Sequence, residues 1–217
     1  MIDWSEIDTV LLDMDGTLLD KHYDDYFWEE YVPIIYAAEN GLSQAEARAK
    51  LLQTYKAREG TLDWTDLDYW SEQLNLDIPA LKVKIDHLIK IHPYVIDFLK
   101  YLQNIQKRVY LVTNAHSKTL DIKMNKTALN GYFERIVCAG EIGLPKEDPE
   151  FWEGLRQVVP FARSSTMLAE DTEKILRSAE IFGIKHLIYV ARPSSKKPIK
   201  NSNRFRSIVY FKELITP

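Results

Sequence analysis

The chain has 217 residues, of which 46% are hydrophobic and 28% charged, and a formal net charge of −4. That is enough apolar material for one packed core, with or without an insertion, and the slight acidity gives no general attraction to a nucleic-acid polymer or an anionic membrane. Cys138 is the only cysteine, no apolar run approaches the roughly 18 residues of a membrane span, and the acidic start Met1-Ile2-Asp3-Trp4-Ser5-Glu6 lacks the basic-then-apolar order of a signal peptide, so a soluble, cytoplasmic protein without intrachain disulfides is expected.

The first element is the apolar run Thr9–Leu12, read as a buried strand. It ends in Asp13-Met14-Asp15-Gly16-Thr17. Alternation along an extended chain puts Asp13 and Asp15 on one side, where their charges repel. A hard cation with oxygen ligands makes that arrangement tolerable. A carboxylate beside Mg²⁺ can attack phosphorus while its neighbour two residues on handles protons, which points to phosphoryl transfer through an aspartyl-phosphate.

From Leu19 to Ile91 the pattern is helical. One helix is expected within Asp24–Asn40, with Pro33 either starting a segment or kinking one. Ser43-Gln44-Ala45-Glu46 has the capping-box pattern, and the segment after it runs to Glu59 and stops at Gly60. Further helices are expected at Trp64–Leu74 and Pro79–Ile91, and Pro93 marks the return to strand-and-helix alternation. Residues 21–91 therefore read as a small helical cap inserted after the first strand, with residues 1–20 and 92–217 forming the core domain. The cap is rich in aromatic residues, most of them expected between its own helices. His22 and Tyr23, nearest the aspartate turn, are expected to face the substrate.

Strand-like runs follow at Arg108–Val112, Arg135–Ala139, Thr166–Ala169, His186–Val190 and Ser207–Phe211, separated by helical stretches such as Val95–Gln106, Ser117–Leu129 and Glu173–Phe182. This alternation predicts an α/β fold, a Rossmann-like parallel sheet with helices on both faces. Ligands bind such sheets beyond the carboxyl ends of the strands. The second strand ends in Thr113-Asn114-Ala115, whose hydroxyl and amides can hold phosphate oxygens without adding charge. After the third comes Lys146, a fixed positive charge for a phosphoryl group. The fourth ends in Glu170-Asp171, an acidic pair suited to completing a metal site. Singly, each has an ordinary reading: a glycine turn, a helix cap, a surface lysine, a dipole-favouring acid. Their occurrence in order at four strand ends favours a site. The basic segment Pro193–Arg206 reads as a solvated loop.

These residues resemble the four motifs of the haloacid dehalogenase (HAD) superfamily of phosphohydrolases. Tyr26-Phe27-Trp28, Asn40-Gly41, Leu67–Leu74, Thr113-Asn114-Ala115-His116 and Pro145-Lys146-Glu147-Asp148 are further similar to its bacterial GMP/IMP nucleotidase branch, which has two aspartates where this chain has Glu170-Asp171. The resemblance implies Mg²⁺ held by Asp13, the main-chain carbonyl of Asp15, Asp171 and Glu170. It implies that Asp13 attacks the phosphorus of a monoester and that Asp15 protonates the leaving alcohol and then activates water. Backbone amides from Met14 to Gly16, with Thr113, Asn114 and Lys146, would hold the phosphoryl oxygens, and Thr17 would stabilise the turn. His116 is a further substrate-binding candidate that can equally cap a helix. The implied partner is a nucleoside monophosphate. A sugar phosphate or phosphoglycolate is the rival substrate, and hydrolytic dehalogenation and a phospho-accepting signalling domain are the rival activities. Asp15, Glu170 and Asp171 disfavour the dehalogenation, and the inserted cap disfavours the signalling domain.

Overall fold

A computed structural model describes residues 2–215. Its centre is a six-stranded, all-parallel sheet in the order β3-β2-β1-β4-β5-β6, built from β1 (Thr9–Leu12), β2 (Arg108–Thr113), β3 (Arg135–Cys138), β4 (Thr166–Glu170), β5 (His186–Val190) and β6 (Arg206–Ile208). Every residue of β1 and β4 is buried, as expected for strands covered on both faces. The sixth strand is shorter than expected. The amides of Val209 and Tyr210 both donate to Glu213 Oε1, at 2.8 and 2.9 Å, and the chain leaves the edge for a short helical turn, Phe211–Leu214.

Side chains alternate between the two faces. Val10, Leu12, Leu111, Met167 and Ala169 join one buried cluster with Phe98 and Leu99 of α6 (Val95–Asn104). Leu11, Val112, Val137 and Leu168 join the other, with Phe151 and Trp152 of α9 (Pro149–Val158) and Leu176 of α10 (Glu173–Phe182). The first cluster continues without a break into the helices between β1 and β2, through Tyr23, Phe27, Leu51, Tyr55 and Trp70.

Those helices are α1 (His22–Tyr26), which passes through a π-helical turn Phe27–Tyr31 into α2 (Val32–Asn40), then α3 (Gln44–Lys56), α4 (Leu67–Leu74) and α5 (Ile78–Lys84). Pro33 lies in the first turn of α2 and has no N–H to donate to the carbonyl of Glu29, and the turn before it widens instead of breaking. The capping box is present, with Ser43 Oγ accepting from Glu46 N and Glu46 Oε2 accepting from Ser43 N. Three helices of the insertion differ in extent from the expectation, α5 most of all, which ends at Lys84 and gives way to a short helical turn, Asp86–Leu88, where a helix to Ile91 was expected. α4 starts at Leu67, not Trp64, because Asp66 Oδ1 accepts from the amides of Asp68 and Tyr69 and caps it there. α3 ends at Lys56, three residues early. The two chain crossings pair with each other, Asp20 N donating to Lys90 O and His92 N to Leu18 O, each at 2.9 Å. The remaining helices are α7 (Ser117–Thr127) and α8 (Ala139–Ile142). No helix among the described residues is long and apolar enough to cross a membrane.

Candidate active site

Winding reverses between β1 and β4, the position at which an open α/β sheet leaves a crevice at its carboxyl edge. β1 pairs with both β2 and β4, so Asp13, Thr113 and Glu170 emerge side by side. Asp13 N donates to Ala169 O at 3.1 Å, extending the ladder by one residue. Lys146 arrives from the loop after α8, is fully buried, and binds three groups there: Asp13 Oδ1 at 2.6 Å, Glu170 Oε2 at 2.7 Å and Val112 O at 3.0 Å. Asn114 fixes that loop, accepting from Lys146 N at 3.0 Å and donating to Glu147 Oε2 at 2.8 Å. Thr113 Oγ1 accepts from Ala115 N at 3.0 Å and shapes the turn after β2.

Asp13, Glu170 and Asp171 present carboxylate oxygens that all lie within 4.8 Å of one another. Burial raises the pKa of Asp13 against the opposing pull of Lys146, and burial together with the Asp13 charge raises Glu170 well above its usual value. Burial also works to raise Asp171, but Lys21, whose Nζ is 3.1 Å from Asp171 Oδ2, together with the hydrogen bond to Glu170 and the Lys146 charge, makes the net shift downward. Burial alone would depress Lys146. Asp13 and Glu170 reverse that, and it stays charged. Glu170 also orders the turn, its Oε1 accepting from the amides of Asp171 and Thr172. Gly16, at φ +89°, passes so close that a Cβ there would lie 2.3 Å from Asp171 Oδ2. Met14 is buried in the core and Thr17 is fully buried, its Oγ1 without a hydrogen bond among the described residues, so its packing and not its hydroxyl supports the turn.

The second aspartate is held differently. Asp15 Oδ1 accepts from Lys123 Nζ at 2.5 Å, and the same ammonium binds Asp24 Oδ2 at 2.5 Å. Asp24 Oδ1 accepts from Lys82 Nζ at 2.9 Å, and Lys82 packs over the rings of Tyr23, Phe27 and Trp28. Burial, only partly offset by Lys123, lifts the Asp15 carboxyl to about 6, within reach of proton exchange near neutrality. Lys123, Asp24, Lys82 and Lys21 carry no motif, and reading the chain alone missed them. The one sequence signal is the i, i+4 spacing of Thr119 and Lys123 on the buried side of α7.

Asp13, Asp15, Asp24, Lys146, Glu170 and Asp171 line the floor of a cavity of about 570 Å³ between the sheet edge and the helices of residues 22–84, whose upper wall includes Trp28, Tyr55 and Trp64. His116 lines the cavity. It caps α7, its Nδ1 accepting from Lys118 N at 3.4 Å, with Nε2 3.6 Å from Asp66 Oδ1. His22 and Tyr23 do not line it. Tyr23 is buried with its hydroxyl donating to Lys82 O at 3.0 Å, and the His22 ring packs against Tyr26. Of the three expected substrate-facing residues, only His116 is brought to the cavity lining.

A family model for haloacid dehalogenase-like hydrolases matches residues 7–183. The chain belongs to this family of hydrolases. The hydrolase is 37% identical over 214 residues to the GMP/IMP nucleotidase YrfG of Escherichia coli strain K12, covering 99% of this chain and 96% of the relative. Among solved structures it is similar to a HAD phosphatase from Thermococcus onnurineus, with TM-score 0.82, 20% identity and 96% of each chain covered. It is also similar to the putative HAD-hydrolase YfnB of Bacillus subtilis, with TM-score 0.69, 18% identity, and 96% and 97% of the two chains covered. These two likenesses bear on the fold.

Proposed function

We propose that this hydrolase removes phosphate from purine nucleoside 5′-monophosphates, GMP and IMP, through an aspartyl-phosphate on Asp13. The observation that carries the reading is the cavity, which runs from the buried Asp13–Lys146–Glu170–Asp171 cluster to an aromatic wall. Its 570 Å³ falls within the ~300–1,000 Å³ of sites that enclose whole small ligands, whereas phosphoglycolate would leave most of it unfilled. The nucleotidase relative supports the same substrate class.

In this reading Asp13 attacks the phosphorus, and the bond to the ribose 5′ oxygen breaks as Asp15 transfers its proton to that oxygen. The resulting Asp15 carboxylate then takes a proton from water as the water attacks the same phosphorus, and the bond to Asp13 breaks to release inorganic phosphate. Lys146 and the amides of the turns at Met14–Gly16 and Thr113–Asn114 offset the charge on the phosphoryl oxygens. Residues 21–91 act as a cap on the core of residues 1–20 and 92–217, keeping bulk water from the reaction. The donor set fits Mg²⁺: all ligands are oxygens, from Asp13, Asp171, Glu170 and the main-chain carbonyl of Asp15. Burial first, and the charge of the neighbouring carboxylates second, raise the pKa values of Asp13 and Glu170, and a cation held among them would favour their ionised forms. The ion when bound would neutralise the nucleophile and polarise the phosphoryl group.

Phosphate release measured with Mg²⁺ over GMP, IMP, AMP, ribose 5-phosphate and phosphoglycolate tests the reading. GMP and IMP are expected to exceed the others in kcat/KM by about tenfold or more. Equal values across the panel would remove the nucleotide assignment and leave the phosphatase, whereas no release from any would remove both.

A further inference from the structure

We propose that Lys56 and Glu59 read the base, pairing with the O6 and N1–H edge of a 6-oxopurine seated against Trp28, Tyr55 and Trp64. The inference rests on the nucleotidase reading and assigns the groups that would make it selective.

Most charged side chains lining the cavity are already committed. Asp13, Glu170 and Lys146 bind one another, Lys21 binds Asp171, and Asp15, Asp24 and Lys82 belong to the Lys123 network. Asp25 and Glu29 meet Lys197, Glu147 meets Asn114, and His116 meets Asp66. Among the described residues, Lys56 and Glu59 alone of the charged groups in this lining make no hydrogen bond or ion pair.

Their position suits a base. Lys56 is the last residue of α3 and Glu59 lies in the turn after it. Gly60, at φ +80°, bends that turn toward α10, where a Cβ would sit 3.3 Å from Lys174 Nζ. The cation and the anion are thus on a turn that reaches from the inserted helices toward the sheet domain. The same lining includes the half-buried Trp28 and Trp64, each in edge contact with the buried Tyr55 at 5.3 and 6.0 Å, an aromatic wall against which a base can pack. The buried Tyr55 hydroxyl also has no hydrogen-bond partner among the described residues.

The chemistry of the pair selects between bases. An ammonium only donates and a carboxylate only accepts. A 6-oxopurine offers an acceptor at O6 and a donor at N1–H side by side, and guanine adds its 2-amino donor next to N1–H. Adenine presents the reverse, an amino donor and an unprotonated ring nitrogen, so that donor faces donor and acceptor faces acceptor. The pair accepts GMP and IMP and rejects AMP.

The test measures kcat/KM for GMP, IMP, AMP and ribose 5-phosphate in the wild type, Lys56→Met, Glu59→Gln and the exchange Lys56→Glu/Glu59→Lys. Both side chains are exposed, so the fold should tolerate these changes. Each single variant is expected to lower GMP and IMP turnover about tenfold, with a smaller change on ribose 5-phosphate, and the exchange is expected to shift the GMP-to-AMP ratio toward AMP. A GMP-to-AMP ratio that stays at the wild-type value in all three variants would overturn the inference, as would a uniform loss that includes ribose 5-phosphate. A wild type that does not favour GMP over ribose 5-phosphate would instead overturn the nucleotidase reading.

Discussion

Lys123 Nζ lies 2.5 Å from Asp15 Oδ1, so the aspartate proposed to move protons is held by a lysine that is itself buried. The same ammonium reaches Asp24 of α1, and on the same helix Lys118 and Lys126 meet Asp68 and Asp86. One face of α7 is therefore a row of lysines facing aspartates of the inserted helices. The exposed pairs contribute little each. The buried one couples the position of those helices to that of Asp15.

Lys123→Met leaves Asp15 and Asp24 facing each other without their shared cation. It is expected to cost about 3 kcal/mol of stability and, by displacing Asp15, to lower kcat about 10²-fold. Adding Asp24→Asn removes one of the stranded charges and should recover part of the stability. Thermal unfolding of the two single variants and the double variant measures this coupling, and strictly additive losses would contradict it.

Asp15→Asn keeps the shape of the side chain and removes its proton. GMP hydrolysis, which expels an alkoxide, is expected to fall by about 10²–10⁴-fold. The first-turnover burst of p-nitrophenol from p-nitrophenyl phosphate, whose leaving group departs without a proton, should fall much less, while steady-state turnover falls on both substrates because water attack on the aspartyl-phosphate still needs the Asp15 base. An equal loss in the first-turnover rate on the two substrates would argue that Asp15 only positions its neighbours.

Gly16 meets Asp171 more closely than any side chain allows. Gly16→Ala is expected to push Asp171 out of the oxygen cluster, on top of roughly 1–2 kcal/mol of backbone strain at positive φ. A Mg²⁺ titration of activity should show the half-saturating concentration rising in this variant. EDTA should silence the wild type, with Mg²⁺ restoring it.

His92 is buried where the chain re-enters the sheet domain, its Nε2 3.2 Å from Pro193 O. Burial lowers its pKa, against the opposing pull of Asp20. The folded state then favours the neutral ring, so its stabilising contribution is full above about pH 6.5, the value for an unfolded histidine, and is lost as the pH falls from there through the lower folded-state value. The drop in Tm between about pH 7.5 and about pH 5.5 should be smaller in His92→Gln than in the wild type.

Much of this architecture was legible in the chain because buried parallel strands are written as short apolar runs, and polar residues straight after them have few roles besides the site. Asp13, Thr113 and Glu170-Asp171 follow that rule, and Lys146 follows it more loosely, reaching the site from the loop after α8. Lys123, Lys82 and Asp24 do not. They sit within helices, where charged residues usually face solvent, and only tertiary packing brings the two lysines onto one carboxylate. The absence of His22 and Tyr23 from the cavity lining has the same origin, since proximity in sequence to Asp15 does not say which way a helix turns its side chains. At Trp64 the boundary shifted because a local cap, Asp66, outweighed the aromatic spacing that suggested an earlier start.

The most direct measurement follows the phosphoryl group itself. GMP turnover in the presence of Mg²⁺, quenched rapidly in acid and read by peptide mass spectrometry, should find a phosphoryl group on Asp13 in the wild type and none in Asp13→Asn, which should also release no phosphate. Continued turnover by Asp13→Asn, or a phosphoryl group on any other residue, would contradict the assignment of Asp13 as the nucleophile.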